Sequence, residues 1–380
     1  MKKHIVVGAG IAGASAAYHL ARFGEHVTVV DRADSGQATD AAAGIICPWI
    51  SQRRNKAWYA LAKAGAAYYQ TLIRMLKEDG ETETGYSRRG AISLHTDEEK
   101  LKAMKERALK RREDAPEIGE VYLLSQEDTK KLFPLVSEEF QSLYVSGAAR
   151  VNGRALRDAL MSAARRYGAE VKKGSALLLH QEKRVNGVSI DGSIYPADSV
   201  IVTAGAWADQ LLLPLGLRLQ LSAQKAQILH LQLPDNPETG CWPVVIPPNN
   251  QYMVPFQDGK MIIGATHEDH KAFDQRVTAG GIYEILHKGL AAAPGLAEAE
   301  MIEARVGYRP HTPGFLPIIG EVPGYKGILI ANGLGASGLT AGPFLGAQLA
   351  SLARGVSVDF DLSPYSPQGA FTEDVKAENS

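Results

Sequence analysis

The sequence predicts an α/β fold in which a Rossmann-like dinucleotide-binding domain is interrupted by a discontinuous antiparallel-sheet domain of α+β type. Three observations carry this. A strand, a glycine-rich turn, a helix and a second strand follow one another within residues 4–31. A second glycine loop behind a buried strand spans residues 328–338. Between them, residues 217–264 read as long alternating strands broken by proline turns, the pattern of an antiparallel sheet.

His4-Ile5-Val6-Val7 is a short apolar run suited to a strand buried on both faces. Gly8-Ala9-Gly10-Ile11-Ala12-Gly13 follows at once. In this spacing Gly8 permits the tight turn, Gly10 lets backbone approach a pyrophosphate, and Gly13 lets helix pack on strand. The helix begins at Ile11, is rich in alanine and ends near Gly24. Its free N–H groups and positive dipole end suit phosphate. Val27-Thr28-Val29-Val30 then leads to Asp31, placed for ribose hydroxyls, with Arg32 beside it. The unit indicates a dinucleotide and leaves NAD and FAD both open.

Asn332-Gly333-Leu334-Gly335-Ala336-Ser337-Gly338 repeats the glycine spacing behind Ile328-Leu329-Ile330-Ala331. Too little chain follows to build a second doubly wound domain. The strand is therefore expected to join the first sheet, with a helix starting near Thr340 and Pro343 in its first turn. That helix N-terminus would face the same cofactor and stabilise negative charge on a reduced flavin, a role that NAD does not require.

Residues 56–79 place Trp58, Leu61, Gly65, Tyr68, Leu72 and Met75 or Leu76 at helical spacing, a core stripe. Residues 97–114 form a charge-dense helix with a thin stripe of Leu101, Met104 and Ala108, expected over a sheet edge. A helix runs from Asn152 to Tyr167-Gly168, followed by strands at Glu170-Val171 and Ala176-Leu177-Leu178-Leu179. Ser199-Val200-Ile201-Val202-Thr203 is a further buried strand entering Ala204-Gly205-Ala206-Trp207. Parallel-type units at the start, middle and end predict discontinuous domains: 1–84, 145–216 and 318–380 around the dinucleotide, and 85–144 with 217–317 around the substrate.

The 380 residues carry a formal net charge of −1, so no global field draws nucleic acid or an anionic membrane. Two cysteines, Cys47 and Cys241, make no disulfide framework and fit a reducing compartment. Met1-Lys2-Lys3 and its apolar sequel are broken by glycines and by Tyr18-His19, so a secretion signal is not expected. No run reaches a transmembrane length. The expectation is a cytoplasmic protein with no integral membrane segment, peripheral to a membrane if it acts as a dehydrogenase, with a homo-oligomer left open.

Further segments complete a pattern: Ala38-Thr39-Asp40-Ala41-Ala42-Ala43-Gly44-Ile45, Tyr252-Met253-Val254-Pro255, Gly264-Ala265-Thr266, Val306-Gly307-Tyr308-Arg309-Pro310 and Leu316-Pro317-Ile318-Ile319-Gly320. With both glycine loops, in this order and over nearly the whole length, the chain resembles the FAD-dependent D-amino-acid oxidase superfamily. Its glycine oxidase, sarcosine oxidase and D-amino-acid dehydrogenase branch is the most similar. The resemblance implies FAD. Gly8, Gly10, Ile11, Ala12, Gly13, Asp31 and Arg32 would bind it, with Ala204, Gly205 and Trp207 from the middle strand. Ala38, Thr39, Ala43, Gly44 and Ile45 would line pyrophosphate and isoalloxazine, and Leu177 would meet the adenine side through its backbone. Gly333, Leu334, Ala336, Ser337, Gly338, Leu339 and Thr340 would wrap the flavin ring. Covalent relatives use a cysteine in the C-terminal part; none stands there, so noncovalent FAD is expected.

By the same resemblance Arg309 would hold a substrate carboxylate, and a guanidinium suits that bidentate grip on chemical grounds alone. Tyr252 would assist it, and His267 would stand near the flavin face. The sequence His267-Glu268-Asp269-His270 lacks zincin spacing and a third ligand, so no metal is expected. Cys47, beside Pro48-Trp49, reads as a buried inert thiol. Thr312-Pro313 is followed by Gly314 where the family usually has Asp. The implied reaction is hydride transfer from Cα of a small amino acid (glycine, sarcosine or a D-amino acid) to flavin N5, giving an imine that water hydrolyses to a keto acid. The electron acceptor is O2 or, in the rival reading, a quinone or carrier, with D-proline or a 2-hydroxy acid as substrate.

Overall fold

The computed structural model describes residues 1–234, 237–269 and 273–373. His270 and the polar end at 374–380 lie outside the described residues. A six-stranded sheet runs in the order Ile318–Glu321, Ile328–Asn332, Ser199–Val202, Lys3–Val7, His26–Asp31, Glu170–Lys173. All neighbours are parallel except the first pair. The apolar runs behave as parallel strands should: Val6, Val29, Val30, Val200, Ile201, Val202 and Ile330 are fully buried. The strand behind the second glycine loop does join this sheet, through register pairs such as Ile201 with Leu329.

Helices Ile11–Arg22, Gly153–Arg166 and Gly338–Arg354 pack together, the first against both others. Helix Lys56–Glu78 lies beside the last of them, its N-terminus capped by the Asn55 side chain accepting from Trp58 N–H at 2.9 Å. Its predicted stripe is largely inward, with Leu61, Gly65, Leu72 and Leu76 buried. The C-terminal helix begins at Gly338, after a 3₁₀ turn at Gly335–Ser337, so Pro343 falls in its interior and not in its first turn. A proline there leaves the carbonyl four residues back without a helical donor. That carbonyl, Leu339 O, instead accepts from the buried Tyr69 hydroxyl.

An eight-stranded sheet runs Glu300–His311, Ser222–Gln232, Lys260–Gly264, Tyr252–Pro255, Val244–Ile246, Ala91–His95, Gln141–Val145, Val121–Leu124. It is antiparallel except where Val244–Ile246 meets Ala91–His95. That pair joins segments distant in sequence, so no hairpin fixes its direction. The charge-dense helix, Glu98–Arg112, packs beside the terminal strand Val121–Leu124 with Leu101 and Ala108 buried. Strand Ala176–Gln181 leaves the six-stranded sheet for a separate antiparallel one with Arg184–Ile190 and Ser193–Pro196. Among the described residues no helix is long and apolar enough to cross a membrane.

Candidate active site

The parallel strands end in turns that all open on one cavity of about 440 Å³. Ligands of doubly wound sheets bind at this carboxyl edge. The first turn is built tightly. Gly8 has φ +103, and its N–H donates to Val30 O at 2.8 Å. A Cβ on Gly13 would collide with the Gly8 carbonyl and with Thr203 Oγ1, which itself donates to Gly8 O at 2.8 Å. Gly13 thus packs behind the turn and off the cavity wall, while Gly8, Gly10, Ile11 and Ala12 lie on it.

No side chain caps helix Ile11–Arg22, although Ile11 N–H reaches Thr39 Oγ1 at 3.0 Å. A Cβ on Gly10 would meet nothing nearer than Thr39 Oγ1 at 3.5 Å. The backbone there is open toward the cavity. Asp31 accepts from Ala9 N–H at 2.5 Å, Ala33 N–H at 2.6 Å and Gln37 Nε2 at 2.9 Å. Those bonds fold the 33–37 loop over the strand end and leave carboxylate lone pairs for a ribose. Arg32 lies on the rim, paired with Asp34 at 2.5 Å.

Ala38, Thr39, Ala43, Gly44 and Ile45 form one wall; Ala204, Gly205 and Trp207 form another. Leu177 stands at the far rim, 60% exposed. From the second glycine loop, Leu334, Ala336, Gly338 and Leu339 reach the cavity. Helix Gly338–Arg354 likewise has no side-chain cap. Gly333, Ser337 and Thr340 are set behind that wall and hold it. Gly333 N–H donates to Asn332 Oδ1 at 2.7 Å, Ser337 Oγ accepts from Trp58 Nε1 at 2.9 Å, and Thr340 Oγ1 donates to Ile45 O at 3.1 Å.

At the opposite end Arg309 and Tyr252 enter from the eight-stranded sheet. They sit on different strands with two strands between. Gly264 lets them meet: a Cβ there would stand 2.8 Å from Ile228 and 3.2 Å from the Tyr252 hydroxyl. Tyr252 thereby lies across the sheet toward Arg309 and hydrogen-bonds it. Arg309 Nη1 also donates to Gln224 Oε1 at 3.1 Å, its register partner. Burial lowers the Arg309 pKa, against which the Tyr252 hydroxyl acts. Burial raises the Tyr252 pKa, which keeps the phenol protonated at neutral pH.

His267 is exposed and off the cavity wall, within electrostatic reach of Arg309. His311 follows Arg309 by two residues on the same strand, its ring against Phe315. Desolvation and the Arg309 charge lower both imidazole pKa values, so neither adds positive charge at neutral pH. Glu268 turns away to Gln227 Nε2 at 2.6 Å and Thr266 Oγ1 at 2.7 Å. Cys47 does not line the cavity, and desolvation pushes its thiol up to about 12. Gly314 takes φ +69, a left-handed turn beside Thr312, where aspartate would be strained.

Gln37, Gln224, Tyr308 and His311 stand at or beside the site in addition to the residues expected from sequence. Tyr308 stood inside the Arg309 motif and packs on Trp207 with ring centroids 5.9 Å apart. Gln224 carries no local signal, because strand register brings it to Arg309; His311 is two residues beyond Arg309 on the same strand, the spacing that puts two residues on one face.

Residues 3–352 match the model of the FAD-dependent oxidoreductase (DAO) family. The chain is 60% identical over 371 residues to the uncharacterised oxidoreductase YurR of Bacillus subtilis, covering 97% of this chain and 100% of that protein. The crystal structure of iminodiacetate oxidase from Chelativorans sp. BNC1 superposes with TM-score 0.93 at 46% identity, covering 96% of this chain and 98% of the other. Glycine oxidase from Geobacillus kaustophilus superposes with TM-score 0.83 at 27% identity over the same shares. The chain therefore belongs to the FAD-dependent oxidoreductase family of D-amino-acid oxidase type.

Proposed function

We propose that the protein oxidises the amine of a small amino acid carrying an N–CH2–COO⁻ unit, and that O2 takes the electrons. The observation that carries this is the half-buried Arg309, hydrogen-bonded to Tyr252 at one end of a cavity whose other end is a dinucleotide cradle. Glycine and iminodiacetate, named in the two related oxidases, share that unit. FAD is the family's cofactor, and the cavity suits it: two uncapped helix N-termini and the open Gly10 backbone face inward. Neither cysteine lines the cavity, which supports noncovalent binding.

When bound, FAD supplies the ring that accepts hydride. The chain's own work is to hold and orient the substrate. Arg309 grips the carboxylate bidentately, worth about 1.5–3 kcal/mol for charge-assisted hydrogen bonds. The Tyr252 hydroxyl donates to the same carboxylate and fixes its rotation. With both ends of the carboxylate held, Cα faces the flavin end of the cavity. The amine is oxidised from its neutral form, and no acid-base residue is demanded if it arrives deprotonated; His267, exposed and off the cavity wall, is given no proton-transfer role. The imine product is released to water. We read the six-stranded sheet, within 1–84, 145–216 and 318–380, as the FAD-binding domain, and 85–144 with 217–317 as the substrate-binding domain.

The test is anaerobic mixing of the holoenzyme with glycine, sarcosine, iminodiacetate, D-alanine, D-proline and 2-hydroxy acids while the flavin absorbance is followed. Bleaching by compounds with the N–CH2–COO⁻ unit, and peroxide on readmitting oxygen, is expected. Bleaching by 2-hydroxy acids alone would overturn the amine assignment, and reoxidation without peroxide would overturn the oxidase assignment.

A further inference from the structure

A second cavity, of about 490 Å³, lies between residues 51–59 and the charge-dense helix Glu98–Arg112. Arg53, Arg54, Lys56, Arg107 and Arg111 line it, and no carboxylate does. Among the described residues none of the five pairs with an acid. Asp114, whose charge reaches Arg111, is bonded to Lys63 at 2.6 Å instead.

Three of these cations are held in place. Arg111 Nη1 donates to Trp49 O at 2.6 Å and Ser51 O at 2.9 Å, with its guanidinium 4.2 Å from the Tyr59 ring centroid. Arg107 reaches Ile50 O at 3.4 Å, and Arg53 donates to Phe315 O while lying over Trp58. Arg54 and Lys56 are exposed. The 23-residue helix Lys56–Glu78 also starts here with no acidic residue in its first turn, so its positive end adds to the same field. Tyr59 lines the cavity, and its hydroxyl oxygen is buried with no hydrogen-bond partner. Five like charges gathered at a helix N-terminus repel one another unless an anion neutralises them, and the carbonyl bonds fix the fork-shaped donors before any ligand arrives.

We propose that this cavity binds a small polyvalent anion, a phosphate ester or pyrophosphate group or a di- or tricarboxylate. Its size admits a small molecule. Its residues are not among those assigned to FAD or to the substrate carboxylate.

The experiment is calorimetric titration of the holoenzyme with inorganic pyrophosphate and, separately, citrate at constant ionic strength. Saturable 1:1 binding of at least one is expected, and the tighter of the two gives the ligand class. Arg54→Gln/Lys56→Gln replaces two exposed side chains that hold nothing else and should weaken binding at least tenfold. Arg107→Gln should do the same, while Arg309→Met should leave binding within twofold. No saturable heat with either anion would overturn the proposal. So would binding that survives Arg54→Gln/Lys56→Gln and disappears in Arg309→Met, which would place the anion in the substrate site.

Discussion

Arg309 shows how a single side chain gains a role from neighbours distant in sequence. Its guanidinium is desolvated, bonded to Gln224 across the strand register and to Tyr252 across two intervening strands. Removing it should cost the substrate carboxylate its principal partner. Arg309→Met is expected to raise KM for carboxylate substrates tenfold or more, about 1.4 kcal/mol. Steady-state kinetics check this, and unchanged KM and kcat would remove Arg309 from the site. Arg309 and Tyr252 were legible because each sits in a short motif of fixed composition. Gln224 was not, since nothing in its immediate sequence encodes the register that delivers it, whereas His311 follows Arg309 by two residues on one strand and its nearness is written in that spacing. The Gly264 position was legible as a motif member, but its reason emerges only in space, where absence of a side chain lets the Tyr252 hydroxyl cross the sheet.

At the level of elements, the two glycine turns were read well because strand, turn and helix each left a periodic signature. The turn's glycines do different physical jobs, and substitution separates them. In Gly13→Ala the new methyl meets the Gly8 carbonyl and Thr203 inside the protein, so the helix must shift. This variant should be less stable even without flavin, with its melting temperature lowered. Gly10→Ala has only Thr39 at 3.5 Å as a protein neighbour, so its stability should be kept while its flavin content after purification falls. Absorbance ratios and thermal melts of the flavin-free forms check both. The C-terminal helix starts at Gly338, two residues before the Thr340 start that the sequence suggests. A proline in its sixth position reads as a helix start, and the Tyr69 hydroxyl that serves the freed Leu339 carbonyl comes from another helix.

For the whole molecule, the sheet membership of the last glycine strand followed from how little chain remained to cover a separate sheet. The parallel pair of Val244–Ile246 with Ala91–His95 left no trace in sequence, because pairing between distant segments is set by packing. Stability also has a pH dependence of known sign. His19 and His230 are desolvated, beside Arg22 and Arg305 respectively, and their pKa values fall from 6.5 to about 4. Each is neutral in the folded chain, and the His19 ring lies 2.6 Å from the Tyr68 hydroxyl. The unfolded chain binds more protons between pH 6.5 and 4, so stability drops as pH falls through that window. Urea midpoints measured from pH 7 to pH 4 should decline, and His19→Gln should flatten part of the slope. A midpoint that rises on acidification would contradict the assignment.

The strand order of the six-stranded sheet bears on how the chain is made. Lys3–Val7 pairs with Ser199–Val202, whose other edge is covered only by Ile328–Asn332. During synthesis the first strand therefore has His26–Asp31 on one edge early but an open second edge until Ser199–Val202 emerges, and the middle strand keeps a bare, apolar edge until Ile328–Asn332 follows. Loops of that length close slowly, and bare edges recruit other strands. A chain cut short before the final strand would be expected to aggregate on the ribosome's timescale, not merely to lack a cofactor.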